Sequence, residues 1–327
     1  MRLRVAILSF LTVLVSTSFS YGASAAKLRL GYSAITATMA PLWAARDNGF
    51  FAKYGIDADL IYLAGGSRIA LALESDSIQI GQIALNAGVE ARLAGGDVTI
   101  IGSVYDTYYF QIFSNPAITS AAQLKGKVIA ASSAGSASDY GIRDALDTVG
   151  LKDNDYKILY VGGTDARVQS LQQGLADAAI VSPPNGLIAQ KLGFRELMNL
   201  IEMKIPFGYG ALAAKESWLK QNRPMAVNFY KAYLEALAAL RQDASFAQRI
   251  IGKYSRIGDR EVLQESYRTS VPHMPLRPYV NREIVARALK MSRRDAARRA
   301  EPEQFYDNSL IKELDDSGFI GALFGKR

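Results

Sequence analysis

No cysteine occurs among the 327 residues, and the chain holds one histidine and two tryptophans. The missing cysteine excludes disulfides, thiol nucleophiles, Cys-ligated zinc, iron–sulfur clusters and a lipid on an N-terminal cysteine. A Ser-His-Asp triad would have to use His273, which stands in "VPHMP" with no serine motif or metal partner in register. HExxH, a Walker phosphate loop and GxSxG are also lacking. No two carboxylates sit on adjacent loops in the manner of an acid–base couple. Past the first segment, no run is long and apolar enough to span a bilayer. Catalysis is therefore disfavoured, and no metal, cofactor or transmembrane helix is expected.

What remains is an ordinary globular text, 49% apolar and 21% charged, long enough for two domains. Arg2 and Arg4 precede an apolar stretch from Val5 to Val15, and Ala23-Ser24-Ala25 fits a small-x-small cleavage site. A secretion signal over residues 1–25 is expected, cleaved near Ala25/Ala26 and leaving a periplasmic protein that is no lipoprotein. Losing Arg2 and Arg4 lowers the formal charge from +7 to about +5. The cluster "SRRDAARRA" (Ser292–Ala300) is interrupted by Asp295 and reads as a solvated helix face. Nucleic-acid binding would need a broader basic surface interleaved with stacking aromatics.

Short apolar runs then alternate with helical patterns. "KLRLGY", "ADLIYL", "SIQIGQI" and "DVTIIGSVY" read as strands separated by helices. The pattern restarts with "YYFQIFS", "KVIAAS", "KILYVGG", "DAAIVSPP" and "ELMNLIE", and "PFGYGALAAK" adds one more strand. From Glu216 the chain turns helical, with Pro224 marking a new helix start. Two such blocks predict an α/β protein of two lobes, each a mixed, mostly parallel sheet flanked by helices. The expected division is 26–105 plus 206–327 for one lobe and 106–205 for the other, with a cleft between them where the strand-end loops converge.

Four loops share one signature, a strand, then small or hydroxyl residues, then a helix start: Ser33–Thr38, Ala64–Ser67, Ser132–Ser136 and Gly162–Thr164. Free N–H groups at a helix start favour anions, glycine lets the backbone approach a ligand, and hydroxyls add donors. Any one loop is also explained by helix capping; four facing one cleft favour a site. The candidates are Ser33, Thr36, Thr38, Ser67, Ser133, Ser136 and Thr164, with Asn86 behind the third strand and Asn185 behind Pro183-Pro184. Asp139 either orients a donor or is a first-turn acid. Tyr105, Tyr108 and Tyr109 either wall the ligand or pack the hinge. Arg68 and Arg167 could pair with a carboxylate or sulfonate, though each also fits a surface helix position.

The words "APLWAARDNGFFAKYGIDADL", "DVTIIGSV", "AAQLKGKVIAASSAGSASDYGIRDAL", "GLADAAIVSPP" and "DNSLIKELDDSGFI" closely resemble the nitrate/sulfonate/taurine-type substrate-binding proteins of ABC transporters, in family order. The resemblance implies a two-lobed periplasmic-binding-protein fold of type II. In such proteins the lobes close on a small-molecule solute, and the closed form docks on a membrane permease driven by an ATPase. It also implies ligand contacts at Ser33–Thr38, Ser67, Asn86, the crossover near Tyr105, and Ser133–Ser136. A monomeric importer component for a small sulfonate, nitrate or carboxylate-like anion is expected. A secreted enzyme on the same scaffold or a ligand-presenting sensor subunit is the alternative. Enzymes of this fold depend on cysteine, which is absent here.

Overall fold

The structure, a computed structural model, describes residues 25–325; the expected leader lies outside the described residues but for Ala25. Among the described residues, ten strands form two sheets. They are β1 (Ala26–Tyr32), β2 (Ile56–Tyr62), β3 (Ile80–Ile83), β4 (Val98–Thr107), β5 (Gln111–Ser114), β6 (Val128–Ala131), β7 (Lys157–Tyr160), β8 (Ala178–Val181), β9 (Arg195–Asn199) and β10 (Pro206–Lys215). The first sheet runs β2-β1-β3-β10-β4 and the second β7-β6-β8-β5-β9. In the first, β10 alone runs against its neighbours β3 and β4; in the second, β5 alone runs against β8 and β9. The rest of each sheet is parallel, as helix-linked strands must be.

Each sheet is clothed in helices, so inner strands such as β3 and β8 are buried on both faces and read as apolar runs, while the edge strands β2, β7 and β9 stay partly exposed. From Phe207 to Ala214, β10 is buried throughout. Its small residues suit that position, because a Cβ on Gly208 would stand 2.4 Å from Cβ of Leu85. Gly81 in β3 does the same for Ile69, whose Cγ2 would lie 2.4 Å away. A side chain at either point would push a helix off the sheet.

Behind the first sheet, the long helix Glu216–Gln242 is bent at Asn222, whose φ of −126° is not helical, just before Pro224. The expected new start at that proline is thus a break inside one long element. Its buried face, including Phe229, Tyr230, Leu234 and Leu237, packs on the helix Ala40–Asp47 and the sheet. Trp43 is fully buried and stacks on Tyr254 with ring centroids 4.7 Å apart. Burying each such side chain contributes about 1.5–3 kcal/mol.

The chain passes from one sheet to the other twice, after β4 and before β10. An aromatic seam fastens the two passages. Tyr108 stacks on Phe207 at 4.1 Å, and Tyr209 meets Phe110 edge-on at 4.9 Å. Among the described residues, no helix is long and apolar enough to cross a membrane.

Candidate functional site

The strand-end loops of both sheets close around a cavity of about 40 Å³. That room suits a few waters or a compact ionic head group, since one water needs roughly 10–15 Å³. The first sheet supplies Ser33, Ala64, Gly65 and Gly66; the second supplies Ser132, Ser136, Ser138, Gly163, Thr164, Arg167 and Ser182. Tyr62, Phe110 and Tyr209 complete the wall.

The second sheet's contribution is the more polar. After β6, the hydroxyls of Ser132, Ser136 and Ser138 lie within 2.8–2.9 Å of one another, forming a three-membered ring. Ser136 also caps the helix Ala137–Asp147, accepting from the amide of Asp139 at 3.4 Å. After β7, Thr164 opens the helix Thr164–Gln172, and its Oγ1 lies 3.4 Å from that of Ser182.

Arg167 is the most informative residue of the site. Only 4% of it is exposed, and it takes part in no ion pair among the described residues. Its guanidinium donates to the carbonyl of Ile180 and to Oγ1 of Thr164, both at 2.5 Å, and lies over the ring of Phe110. Burial pushes its pKa down to about 10, with the Tyr209 and Tyr62 phenols and Asp165 opposing that. It therefore stays charged at neutral pH. Tyr209 sits beside it, its phenol pushed up by burial and eased back by Arg167, Ser182 and Thr36. A buried cation without a carboxylate is costly unless an anion completes it.

Three sequence candidates, Ser33, Ser136 and Thr164, stand in the cavity wall. Three more lie on the seam where the loops of the two sheets meet. Ser67 donates to the carbonyl of Ala134 and Asn86 to that of Gly135, each at 3.2 Å. Ser133 Oγ is buried with no partner, as is Asn86 Oδ1. A Cβ built on Gly65, whose φ is +89°, would come 2.5 Å from that Ser133 oxygen.

The other six fall elsewhere, each for a local reason. Thr36 and Thr38 turn inward, their hydroxyls 2.8 Å apart, and the Thr38 carbonyl accepts from Gln82 at 2.9 Å. Asp139 accepts from the Gly135 amide, Tyr160 and Arg143, which is the first-turn acid reading. Tyr108 is buried in the hinge and donates to Asp144 at 2.8 Å. Tyr105 donates to the carbonyl of Ser270 and lines a different groove, of about 1090 Å³, on the other side of the crossings. Asn185 starts the helix Asn185–Lys191 outside the wall. Exposed His273 borders that larger groove, where Glu265 is spent on Arg268 at 2.7 Å. No cluster suited to a metal occurs among the described residues.

Arg68 is exposed, as a surface helix position requires, whereas Arg167 is not. The signal for Arg167 was present: Thr164, Arg167, Val168 and Leu171 share one helical face, and an arginine on an apolar face is drawn inside. Ser138, which the same loop offers beside Ser136 as a donor, also stands in the wall, whereas Tyr209 and Ser182 carried no comparable signal, because nothing local tells a cavity serine from a core one.

No curated protein matches this chain. Solved structures do. A protein from Bordetella bronchiseptica RB50 shares the fold with a TM-score of 0.78 at 20% identity, over 89% of this chain and 98% of its own. The alkanesulfonate-binding protein SsuA from Xanthomonas axonopodis pv. citri, bound to MOPS, reaches 0.68 at 20% identity, over 81% and 90%. The periplasmic nitrate-binding protein NrtA from Synechocystis PCC 6803 reaches 0.69 at 16% identity, over 89% of this chain and 88% of its own. These likenesses establish the periplasmic-binding-protein architecture, and with it the two-lobed α/β form expected from the sequence. The family profile described as NMT1/THI5-like matches residues 36–245, well over half of the sequence, and the chain belongs to that family.

Proposed function

We propose that this protein is the periplasmic solute-binding component of an ABC importer. It captures a small anion between its lobes and delivers it to a membrane permease coupled to an ATPase. The lobes are residues 26–105 with 206–327, and residues 106–205, behind a cleaved leader; the working form is a monomer. The single observation that carries this reading is Arg167, a buried cation with no acidic partner, facing a cavity rimmed by hydroxyls and helix starts. A sulfonate, nitrate or carboxylate-like group would supply the missing charge, with Ser33, Ser132, Ser136 and Thr164 donating beside it.

The mechanism follows from the division of the wall. Ser33 and the Gly65-Gly66 turn come from one lobe, Arg167 and the serine ring from the other. An anion receives the full set of contacts only when the lobes close, so binding shifts the population towards the closed form. No group in the wall is placed to break a bond, and the solute leaves unchanged.

Titrating the purified protein with ethanesulfonate, nitrate and small carboxylates, with scattering to follow closure, tests the reading. Saturable binding of one of them with compaction is expected, with no turnover. No binding and no compaction across the panel would overturn it, and product formation would turn it into an enzyme.

A further inference from the structure

The basic run Ser292–Ala300 is as solvent-exposed as its sequence suggests, but two of its arginines also reach acids on other elements. Arg293 and Arg294 lead into a short 3-10 turn, Asp295–Arg299, and the two pair with acids of different lobes. Arg294 pairs with Glu90 at 2.9 Å, on the helix Leu85–Leu93 of its own lobe. Arg293 crosses to Asp153 on the other lobe.

Asp153 is the outer end of a chain of charges. It also takes Arg143 at 2.7 Å, and Arg143 reaches Asp139 at 3.1 Å. Asp139, only 6% exposed, accepts the amide of Gly135 at 2.9 Å. Gly135 belongs to the Ser132–Ser136 turn of the candidate site. A second crossing runs beside the first. Arg287, on the helix Arg282–Met291, meets Asp144 at 2.9 Å, and Asp144 also accepts from the hinge residue Tyr108.

The charges explain why both crossings exist. On this edge the second lobe carries Asp139, Asp144, Asp147 and Asp153 against Arg143 and Lys152. Its acids are balanced only when Arg287 and Arg293 arrive from the other lobe. An exposed ion pair in isolation contributes little, but an alternating chain with a buried end transmits its geometry.

We infer that Arg287 and Arg293 are positioning residues for solute capture: from one lobe they hold the other closed and, through Asp153, Arg143 and Asp139, fix the Ser132–Ser136 turn. Closure and the shape of that turn are therefore coupled, and both weaken as salt rises. The inference rests on the reading of the cavity as the solute site.

The cysteine-free chain makes the test clean. Spin labels on Leu71→Cys and Leu175→Cys, positions 69% and 59% exposed on opposite lobes, report the interlobe distance in the full, ligand-free protein. Raising salt from about 0.1 M to about 1 M cuts the screening length from about 10 Å to about 3 Å and is expected to shift the wild type towards longer distances. R287A/R293A is expected to show the long distances already at low salt and to lose the salt response. The exchanged pair D153R/R293D is expected to restore part of it. Amide exchange at Gly135 and Ser136 is expected to rise about 1.5- to fivefold in R293A, as the loss of such pairs predicts. Unchanged distances and unchanged exchange in R287A/R293A would overturn the inference. Both readouts need no solute, so that failure leaves the anion reading standing. If instead the latch behaves as stated and no anion binds, the solute reading is what fails.

Discussion

The loop after β1 and the loop after β6, "SAITATMA" and "SSAGSASD", are both rich in small and hydroxyl residues and end up doing different work. In the first, the Thr36 and Thr38 hydroxyls are buried against each other, with Thr36 also beside the Tyr209 phenol, and Ser33 is the loop's hydroxyl in the cavity wall. In the second, Ser132, Ser136 and Ser138 form a ring at the cavity wall, with Arg167 held nearby by Thr164. One lobe supplies a lid of small residues and the other supplies the charge and the donors. A strand–hydroxyl–helix motif thus marks a place where a ligand site can be built. Which hydroxyls face the ligand depends on whether the lobe's own core claims them first.

The largest break in this comparison is expected at Arg167. Arg167→Met removes charge-assisted hydrogen bonds worth about 2–3 kcal/mol, so calorimetry should show anion binding weakened roughly 30- to 150-fold. The ligand-free melting temperature should not fall, because an uncompensated buried charge is exchanged for an apolar side chain of similar length. Unaltered affinity would move the anion site out of this cavity.

Gly65→Ala probes the lid. At a φ of +89° it costs about 1 kcal/mol of strain in any form. Its Cβ also meets Ser133 Oγ at 2.5 Å, across the lobe seam. Scattering should show closure resisted, with affinity about tenfold weaker. A variant that closes like the wild type would mean the seam is softer than this contact implies.

Ser136→Ala and Thr38→Ala sharpen the contrast directly. Each should lower the ligand-free stability by about 1 kcal/mol, through a lost cap and a lost buried hydroxyl pair respectively. Only Ser136→Ala should weaken binding, by roughly three- to tenfold. Equal effects on affinity would place the two loops on the same footing.

The smallest effect concerns pH. Burial would raise the pKa of Asp153, but Arg143 and Arg293 outweigh it and hold the carboxyl below its ordinary value. A depressed carboxyl stabilises the closed form above its unfolded value of about 3.9, and that contribution disappears as pH falls through the folded value. The interlobe distance should be flat between neutral pH and about pH 5 and lengthen below about pH 4. In D153N that acid step should shrink.

Much of the fold was legible because periodicity is local. Buried strands such as "DVTIIGSVY" and "PFGYGALAAK" announce themselves, and the restart of the βα pattern after Tyr105 announced a second sheet. The insertion of β10 between β3 and β4 was not legible, since pairing partners lie about a hundred residues or more apart. Of the site, Ser33, Ser136 and Thr164 were found by their loops. Asp139 was not separable from a ligand group until its three donors were seen. The exposure of the basic run at Ser292 was legible, but its pairing was not, because composition cannot show that Asp153 waits on the other lobe.

By itself, then, the sequence determined the elements, their alternation, the lack of cysteine and the four loops where a solute could sit. These follow from propensity, capping and residue chemistry, which act within a few positions along the chain. The tertiary structure decided which hydroxyls face the cavity, that Arg167 is buried without a counter-charge, and that the lobes are tied by ion pairs. Those are matters of desolvation and of charges meeting across a cleft, and they exist only once distant segments are brought together.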